Sequence, residues 1–439
     1  MKIRTFYYPS KSAEKFLNKL INRIESFPSK LEKEVKKIGE KVKKEGDKAL
    51  IEYTHKFDGV LLDPGEFKVT SEEIEKAYKQ ISSELISAIK LAVKKVKRFH
   101  SQDVPSSWFI TDNGIVLGQK VTPVEKAGVY IPGGKGGETP LISTVIMTVV
   151  PAKIAGVEKV IMVSPPRKDK TLHPALLVAG NEAGVDEIYK IGGPWSIFAL
   201  SFGTESLPKV DIICGPGNIY VTLAKKIVSS WVGIDILAGP SEVLIIADET
   251  AIPEFIVWDL LAQAEHDPLS LPILITTSFK IANEVKKILP EALKSRLKSE
   301  IAEKAIYNRG AIIIVKDLKT AFYLANLIAP EHLELMIENP FEHLQFVKNA
   351  GAVFLGNFTP EAMGDYIAGP NHVLPTMGFA RFCSSLSVEN FLKKINFMQY
   401  SISALKNEAK EVILLAESEN LPFHAEAVRT RIKFLNMEE

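Results

Sequence analysis

Hydrophobic positions change texture along the chain, and each texture predicts a different architecture. From residue 10 to 60, Leu31, Val35, Ile38 and Val42 recur at helical spacing in a Lys/Glu-rich background. That pattern predicts amphipathic helices whose charges form a solvated face. A second helical run spans Ser71 to His100, with Ser71-Glu-Glu as its start signal. Between Trp108 and Leu117, the Asn113-Gly114 dipeptide predicts a hairpin. From Gly128 onward, apolar runs too short for membrane spans alternate with helical segments. Strands are predicted at 128–132, 159–164, 187–193 and 210–214, with helices at 143–154, 174–183, 196–202 and 219–231. A second series opens at Asp235, with strands at 271–277, 310–315, 331–336 and 351–356 and helices at 281–288 and 318–328. Such strands lack polar alternation, so both faces of each sheet are covered by helices. The fold class is therefore α/β, as two doubly wound, Rossmann-like units meeting near 236–240, with helical N- and C-terminal extensions. The tail from about Asn390 reads as helical.

Composition narrows the function. The 439 residues suffice for two or more domains. A net charge of +1 gives no reason to expect nucleic acid or a membrane surface as partner. Cys214 and Cys383 are the only cysteines, which argues for a reducing compartment. The N-terminus lacks the apolar run of a signal peptide, and no stretch reaches membrane-span length. A cytoplasmic location is expected.

The stretch that organises the chemistry is Gln263-Ala-Glu-His266-Asp-Pro268. It ends an apolar segment that starts at Pro253, read as a helix of about four turns between two prolines. Gln263 and His266 are three apart and share a helix face. An imidazole and an amide oxygen can contribute to a metal site, but at least two further ligands must come from elsewhere. Glu331-His332 pairs a carboxylate with an imidazole, two groups suited to proton transfer. In a regular strand they would point to opposite faces, so both can act only if the backbone turns. Asp365 and His372 lie in a Gly/Pro-rich loop, and Glu419 and His424 lie in the tail. Glycine-containing turns at Gly133–Gly137, Gly192-Gly193, Gly215–Asn218 and Gly239–Ser241 stand at strand ends, where α/β sheets place ligands. Neither a dinucleotide fingerprint nor a P-loop is present.

The motifs Gly128-Val-Tyr-Ile-Pro-Gly-Gly, Gly215-Pro-Gly-Asn218, Gly239-Pro-Ser-Glu242, Gln263-Ala-Glu-His-Asp-Pro268, Pro330-Glu-His-Leu-Glu-Leu335 and Asn371-His-Val-Leu-Pro-Thr376 occur in that order. Together they resemble the histidinol dehydrogenase family, from about 128 to 429. The resemblance implies a two-step oxidation of L-histidinol, through L-histidinal, to L-histidine with two NAD, the last step of histidine biosynthesis. It implies one zinc ion per subunit, held by Gln263, His266, Asp365 and His424, which grips the substrate without being the redox centre. Glu331 and His332 would be catalytic; Ser241, His332 and Glu419 would line the substrate pocket with the zinc ligands. Tyr130 and Asn218 would contact NAD. The implied assembly is a homodimer whose sites are completed by the partner's tail, on an aldehyde-dehydrogenase-like architecture. Its expected parts are an extension at 1–27, a first α/β domain from 28–126 with 237–385, a cofactor domain at 127–236 and a tail at 386–439. Two departures fall on the cofactor side. Trp195, expected on the cofactor-binding side to stack on a ring or to pack, stands where the family usually has Gln, and the segment 135–142 is longer than the commonest form. The rivals are a dehydrogenase of another amino or sulfo alcohol, a zinc hydrolase using Glu331, and a metal-stabilised binding protein.

Overall fold

The structure, a computed structural model, describes residues 3–23, 29–102, 104–294 and 299–437. The chain divides into two compact units, one of residues 1–103 and 124–391, the other of 104–123 and 392–439.

The larger unit holds two parallel sheets. The six-stranded sheet runs in the order Arg4–Tyr7, Ala311–Ile314, Leu271–Thr276, Glu242–Ala247, His332–Met336, Ala352–Leu355. Its side chains alternate between two cores. Val243, Ile245 and Leu274 pack with the helices Pro253–Ala264 and Phe279–Lys294, while Leu244, Ile246 and Ile273 meet Phe16, Leu20 and Phe322. Period-two burial on both faces is what makes these strands uniformly apolar in sequence. The five-stranded sheet runs Glu187–Tyr189, Lys159–Val163, Lys126–Tyr130, Ile212–Cys214, Gly233–Ile234, also parallel. Doubly wound α/β architecture is thus present as expected.

Several expectations change. Arg4–Tyr7, within the anticipated helical extension, is a strand pairing with Ala311–Ile314; the helix Lys11–Ile21 follows, capped by Ser10. Residues 1–2 and 24–27 of that extension lie outside the described residues. The helices Ser29–Glu45 and Asp47–Asp58 pack on the five-stranded sheet, although 28–126 was grouped with the other one. Their apolar stripe (Val35, Val42, Leu50, Tyr53) meets Trp195, Phe198 and Leu200. The run 71–100 is two helices. Thr70, one residue before Ser71, caps the first through a reciprocal box with Glu73, and Ser82 caps the second. The helix from Pro253 stops at Ala264, after twelve residues, so His266 sits just beyond it. The helix Ser299–Asn308 was not anticipated.

In the smaller unit, Trp108–Asp112 and Ile115–Pro123 form the expected hairpin, with Asn113 and Gly114 both at positive φ. Leu392–Tyr400 is a strand, not helix, and pairs antiparallel with Ile115–Pro123 over its full length. Helices Ile402–Ser418 and Pro422–Met437 follow and pack on each other. This unit exposes Trp108, Phe109, Ile110, Met398 and Phe423. Among the described residues, no helix is long and apolar enough to cross a membrane.

Candidate functional site

Glu242 and His332 are the first residues of neighbouring strands, so this constellation forms at the amino ends of the six-stranded sheet. That is the opposite end from the usual ligand crevice of α/β sheets. Glu331 precedes the strand, and Ala329 before it takes a left-handed φ of 50°. The backbone therefore turns, as the pair requires, and both side chains converge on Glu242. The Glu242 N–H donates to Glu331 Oε2 (2.8 Å), and the Glu242 carbonyl lies 3.0 Å from His332 Nδ1. A carbonyl accepts only, so Nδ1 carries the proton and Nε2 keeps its lone pair in the neutral ring. His332 Nε2 is buried without a hydrogen-bond partner, 3.8 Å from Asp365 Oδ1.

Gln263 closes the helix Pro253–Ala264, and the short helix Glu361–Tyr366 brings Asp365 opposite it. One ligand atom each from His266, Glu361 and Asp365 lies within 4.8 Å of the others. Glu361 is new to the set, and its spacing of four from Asp365 on a helix was a readable signal. The Gln263 amide nitrogen donates to Glu361 Oε2 at 2.7 Å, and its oxygen accepts from the Glu242 N–H at 3.0 Å. An imidazole, an amide oxygen and carboxylates are a suitable donor set for zinc. The residues fit the metal.

Electrostatics favour a cation as well. Burial pushes Glu331 and Glu361 up to about 8 each, against the pull of His332. Burial, Asp259 and Glu361 hold Glu334 well above the carboxylate range, and burial lifts Asp259 to about 6. Burial opposes the His332 imidazolium, but Glu331, Glu361 and Asp365 together raise its pKa well above the ordinary value. Burial would raise Asp365 too, yet His332, His372 and His266 hold it below the usual range. A divalent cation would neutralise the carboxylates that keep the His332 ring protonated. His372, its pKa lowered by burial, lies with Nδ1 3.0 Å from the Asp365 carbonyl and Nε2 3.4 Å from Thr144 Oγ1. Asn371 donates to the Met147 carbonyl at 2.6 Å. The Asn371-His372 loop thus ties the metal side to the helix Ile142–Ala155.

A cavity of ≈ 770 Å³ opens at the carboxyl ends of the five-stranded sheet, lined by Tyr130, Gly133, Gly134, Asp58, Trp195 and Asn218 among others. Asn218 caps the helix Ile219–Val228, accepting from the N–H groups of Tyr220 (3.0 Å) and Val221 (3.2 Å). Gly215, at φ 115°, leaves no room for a side chain against the Tyr130 carbonyl. Lys225 donates to the Gly215 carbonyl (2.9 Å) and pairs with Asp235, whose other oxygen accepts the Gly215 N–H (2.7 Å). That loop is pinned from both sides. Trp195 is buried in the first turn of the helix Gly193–Phe202, stacked on Tyr53 (5.9 Å) and Phe57 (5.4 Å). Its indole N–H donates to Thr54 at 3.2 Å. It forms the cavity wall and leaves no free polar atom for a ligand.

Of the remaining expected site residues, Ser241 is half-buried beside Glu242. Glu419 caps the helix Ile402–Ser418, His424 begins the next one, and both are exposed in the smaller unit.

Comparisons with known proteins agree with one another. A family model described as histidinol dehydrogenase matches residues 21–432. The chain is 50% identical over 420 residues to a histidinol dehydrogenase of Carboxydothermus hydrogenoformans, covering 95% of this chain and 98% of that one. It is 48% identical over 432 residues to one from Clostridium acetobutylicum, covering 98% and 99%. The crystal structure of histidinol dehydrogenase from Elizabethkingia anophelis matches with a TM-score of 0.92 at 40% identity, over 99% of both chains.

Proposed function

We propose that this chain, which belongs to the histidinol dehydrogenase family, oxidises L-histidinol through L-histidinal to L-histidine with two NAD and one zinc ion per subunit. Membership makes it an oxidoreductase acting on histidinol; the residue roles are our reading. One observation carries them. His332 has Nδ1 committed to the Glu242 carbonyl and Nε2 buried without a partner beside Asp365.

In the first oxidation, His332 Nε2 takes the hydroxyl proton while the carbinol hydrogen departs with its electron pair to the nicotinamide. The aldehyde then needs water before it can lose a second hydride, and Glu331 removes that water's proton. Glu331 suits the task because burial raises its basicity. Gln263, His266, Asp365 and His424 would hold the zinc ion, which when bound would anchor the substrate away from the reacting carbon. Ser241 and Glu419 complete the substrate pocket. NAD lies in the ≈ 770 Å³ cavity against Tyr130 and Asn218, which makes the five-stranded sheet the cofactor side. Trp195 shapes that wall through its stack on Tyr53 and Phe57 and makes no polar contact with the cofactor.

NADH formed per L-histidinol consumed at completion tests the reading. Two per substrate, lost on chelation and restored by zinc, are expected. One would mean that aldehyde is released and Glu331 has no role; none would favour another alcohol, a zinc hydrolase or a binding protein.

The assembly we propose is a homodimer with His424 lent to the partner's site. The exposed apolar side chains of the three-stranded sheet support it, because a second copy would remove them from water. A second reading rests on the grouping of Glu361 with His266 and Asp365, which with Gln263 offers four donors inside one chain. Mixing His424→Ala with His332→Asn chains separates the two. Shared sites should restore about a quarter of wild-type activity at equal ratio, since half the dimers are mixed and one of their two sites is intact. No recovery, with zinc retained in His424→Ala, would favour Glu361. A cytoplasmic location accords with two free thiols, and cell fractionation would check it.

A further inference from the structure

Arg23 lies far from the candidate metal ligands in sequence, yet it is buried against the same strand start. Its Nε and Nη2 donate to the two carboxylate oxygens of Glu242 at 2.6 and 2.7 Å. Nη1 donates to the carbonyls of Leu20 and Ile328, both at 2.8 Å, and Nη2 also reaches the Ala329 carbonyl at 3.4 Å. Every guanidinium N–H is thereby used. The Glu242 carboxylate accepts one more bond, from the Met377 N–H at 3.1 Å.

What the pair ties together is specific. Ala329 and Met377 are both non-glycine residues in the left-handed region, at φ 50° and 55°. Such backbones persist only where their surroundings hold them. Arg23 holds the first through its carbonyl and Glu242 holds the second through its N–H. Ala329 begins the turn that delivers Glu331 and His332. Glu242, in turn, grips Glu331 by its N–H and His332 by its carbonyl. A buried ion pair adds little net stability over apolar packing, so its worth lies in fixing one arrangement.

We propose that Arg23 is a positioning residue: through the Glu242 carboxylate it fixes the peptide that aims Glu331 and His332 at the substrate. The proposal rests on the roles given above to those two residues. Lysine cannot replace the fork, because an ammonium presents a single point of contact.

The test compares Arg23→Lys, Glu242→Gln, His332→Asn and the double variant Arg23→Lys/His332→Asn in the zinc-loaded protein. Arg23→Lys should fold and bind NAD and L-histidinol with KM within threefold of wild type, while kcat falls about a hundredfold, the effect of an ångström-scale misplacement. Glu242→Gln, which keeps shape and one acceptor, should show the same KM-against-kcat split, and it stands in if Arg23→Lys fails to fold. In the His332→Asn background, Arg23→Lys should cost little more, because the group it aims is already gone. Equal kcat in wild type, Arg23→Lys and Glu242→Gln would overturn the proposal, as would full multiplication of the two losses in the double variant. Failure of both single variants to fold would also overturn it, since the pair would then be a structural requirement only. Wild-type turnover by His332→Asn alone would instead overturn the underlying reading of the site.

Discussion

His332→Asn loses the first oxidation, with kcat for L-histidinol falling about 10²–10⁴-fold, the range a general base contributes. Asparagine can still meet the Glu242 carbonyl through its amide nitrogen, so the fold and the Glu331 contact survive. What disappears is the unpartnered Nε2 beside Asp365. Asp365, 3.8 Å from Nε2, does not replace it, because it is held below the usual carboxylate range and is a weaker base. Supplied with L-histidinal directly, the same variant should retain a larger fraction of its rate than with the alcohol. Glu331→Gln should behave the other way, turning over the alcohol and stalling at the aldehyde. Stopped-flow measurement of NADH from each substrate separates the steps. Turnover of the alcohol by His332→Asn within tenfold of wild type would remove His332 from the reaction, and equal slowing of both steps in Glu331→Gln would remove Glu331 from water activation.

Trp195→Ala should be the most damaging change to the scaffold, at about 3–5 kcal/mol. The indole is buried, stacked on Tyr53 and Phe57, and its N–H satisfies a fully buried Thr54 hydroxyl. Truncation opens a void and leaves Thr54 without its donor. Trp195→Phe keeps the stack and loses only the hydrogen bond, which costs about 1 kcal/mol. Urea denaturation of the three proteins gives both values. A loss below about 1 kcal/mol for the alanine variant would mean that the cavity wall closes over the gap and that the aromatic stack contributes nothing.

The inner strands of both sheets are legible because each is covered on two faces and so reads as a short unbroken apolar run. Leu392–Tyr400 escaped notice for the converse reason. Almost every residue along it is exposed, so no contrast between inward and outward positions marks it as a strand, and its partner is Ile115–Pro123, far away in sequence. Arg4–Tyr7 is only four residues long, and its pairing with Ala311–Ile314 is equally remote. At the site, the spacing of three singles out Gln263 and His266, although the helix ends at Ala264 and His266 lies in the turn beyond it; their companions can be chosen only by resemblance to a family. Glu361 has a local signal in its spacing of four from Asp365 on one short helix. Arg23 had none. Its contact with Glu242 spans 219 residues, and an arginine just beyond the end of the helix Lys11–Ile21 carries no mark of burial in the sequence.

The aromatic wall of the cofactor cavity has a practical consequence. The chain has four tryptophans, and Trp108, Trp231 and Trp258 are each 42–52% exposed. Trp195 alone is buried, at 4%, against the cavity. Its emission should therefore form the blue edge of the intrinsic fluorescence spectrum, apart from the red-shifted light of the other three. An iodide quencher would suppress those and leave Trp195 visible. The protein thus carries its own optical gauge of cavity occupancy, readable without label, substrate or turnover.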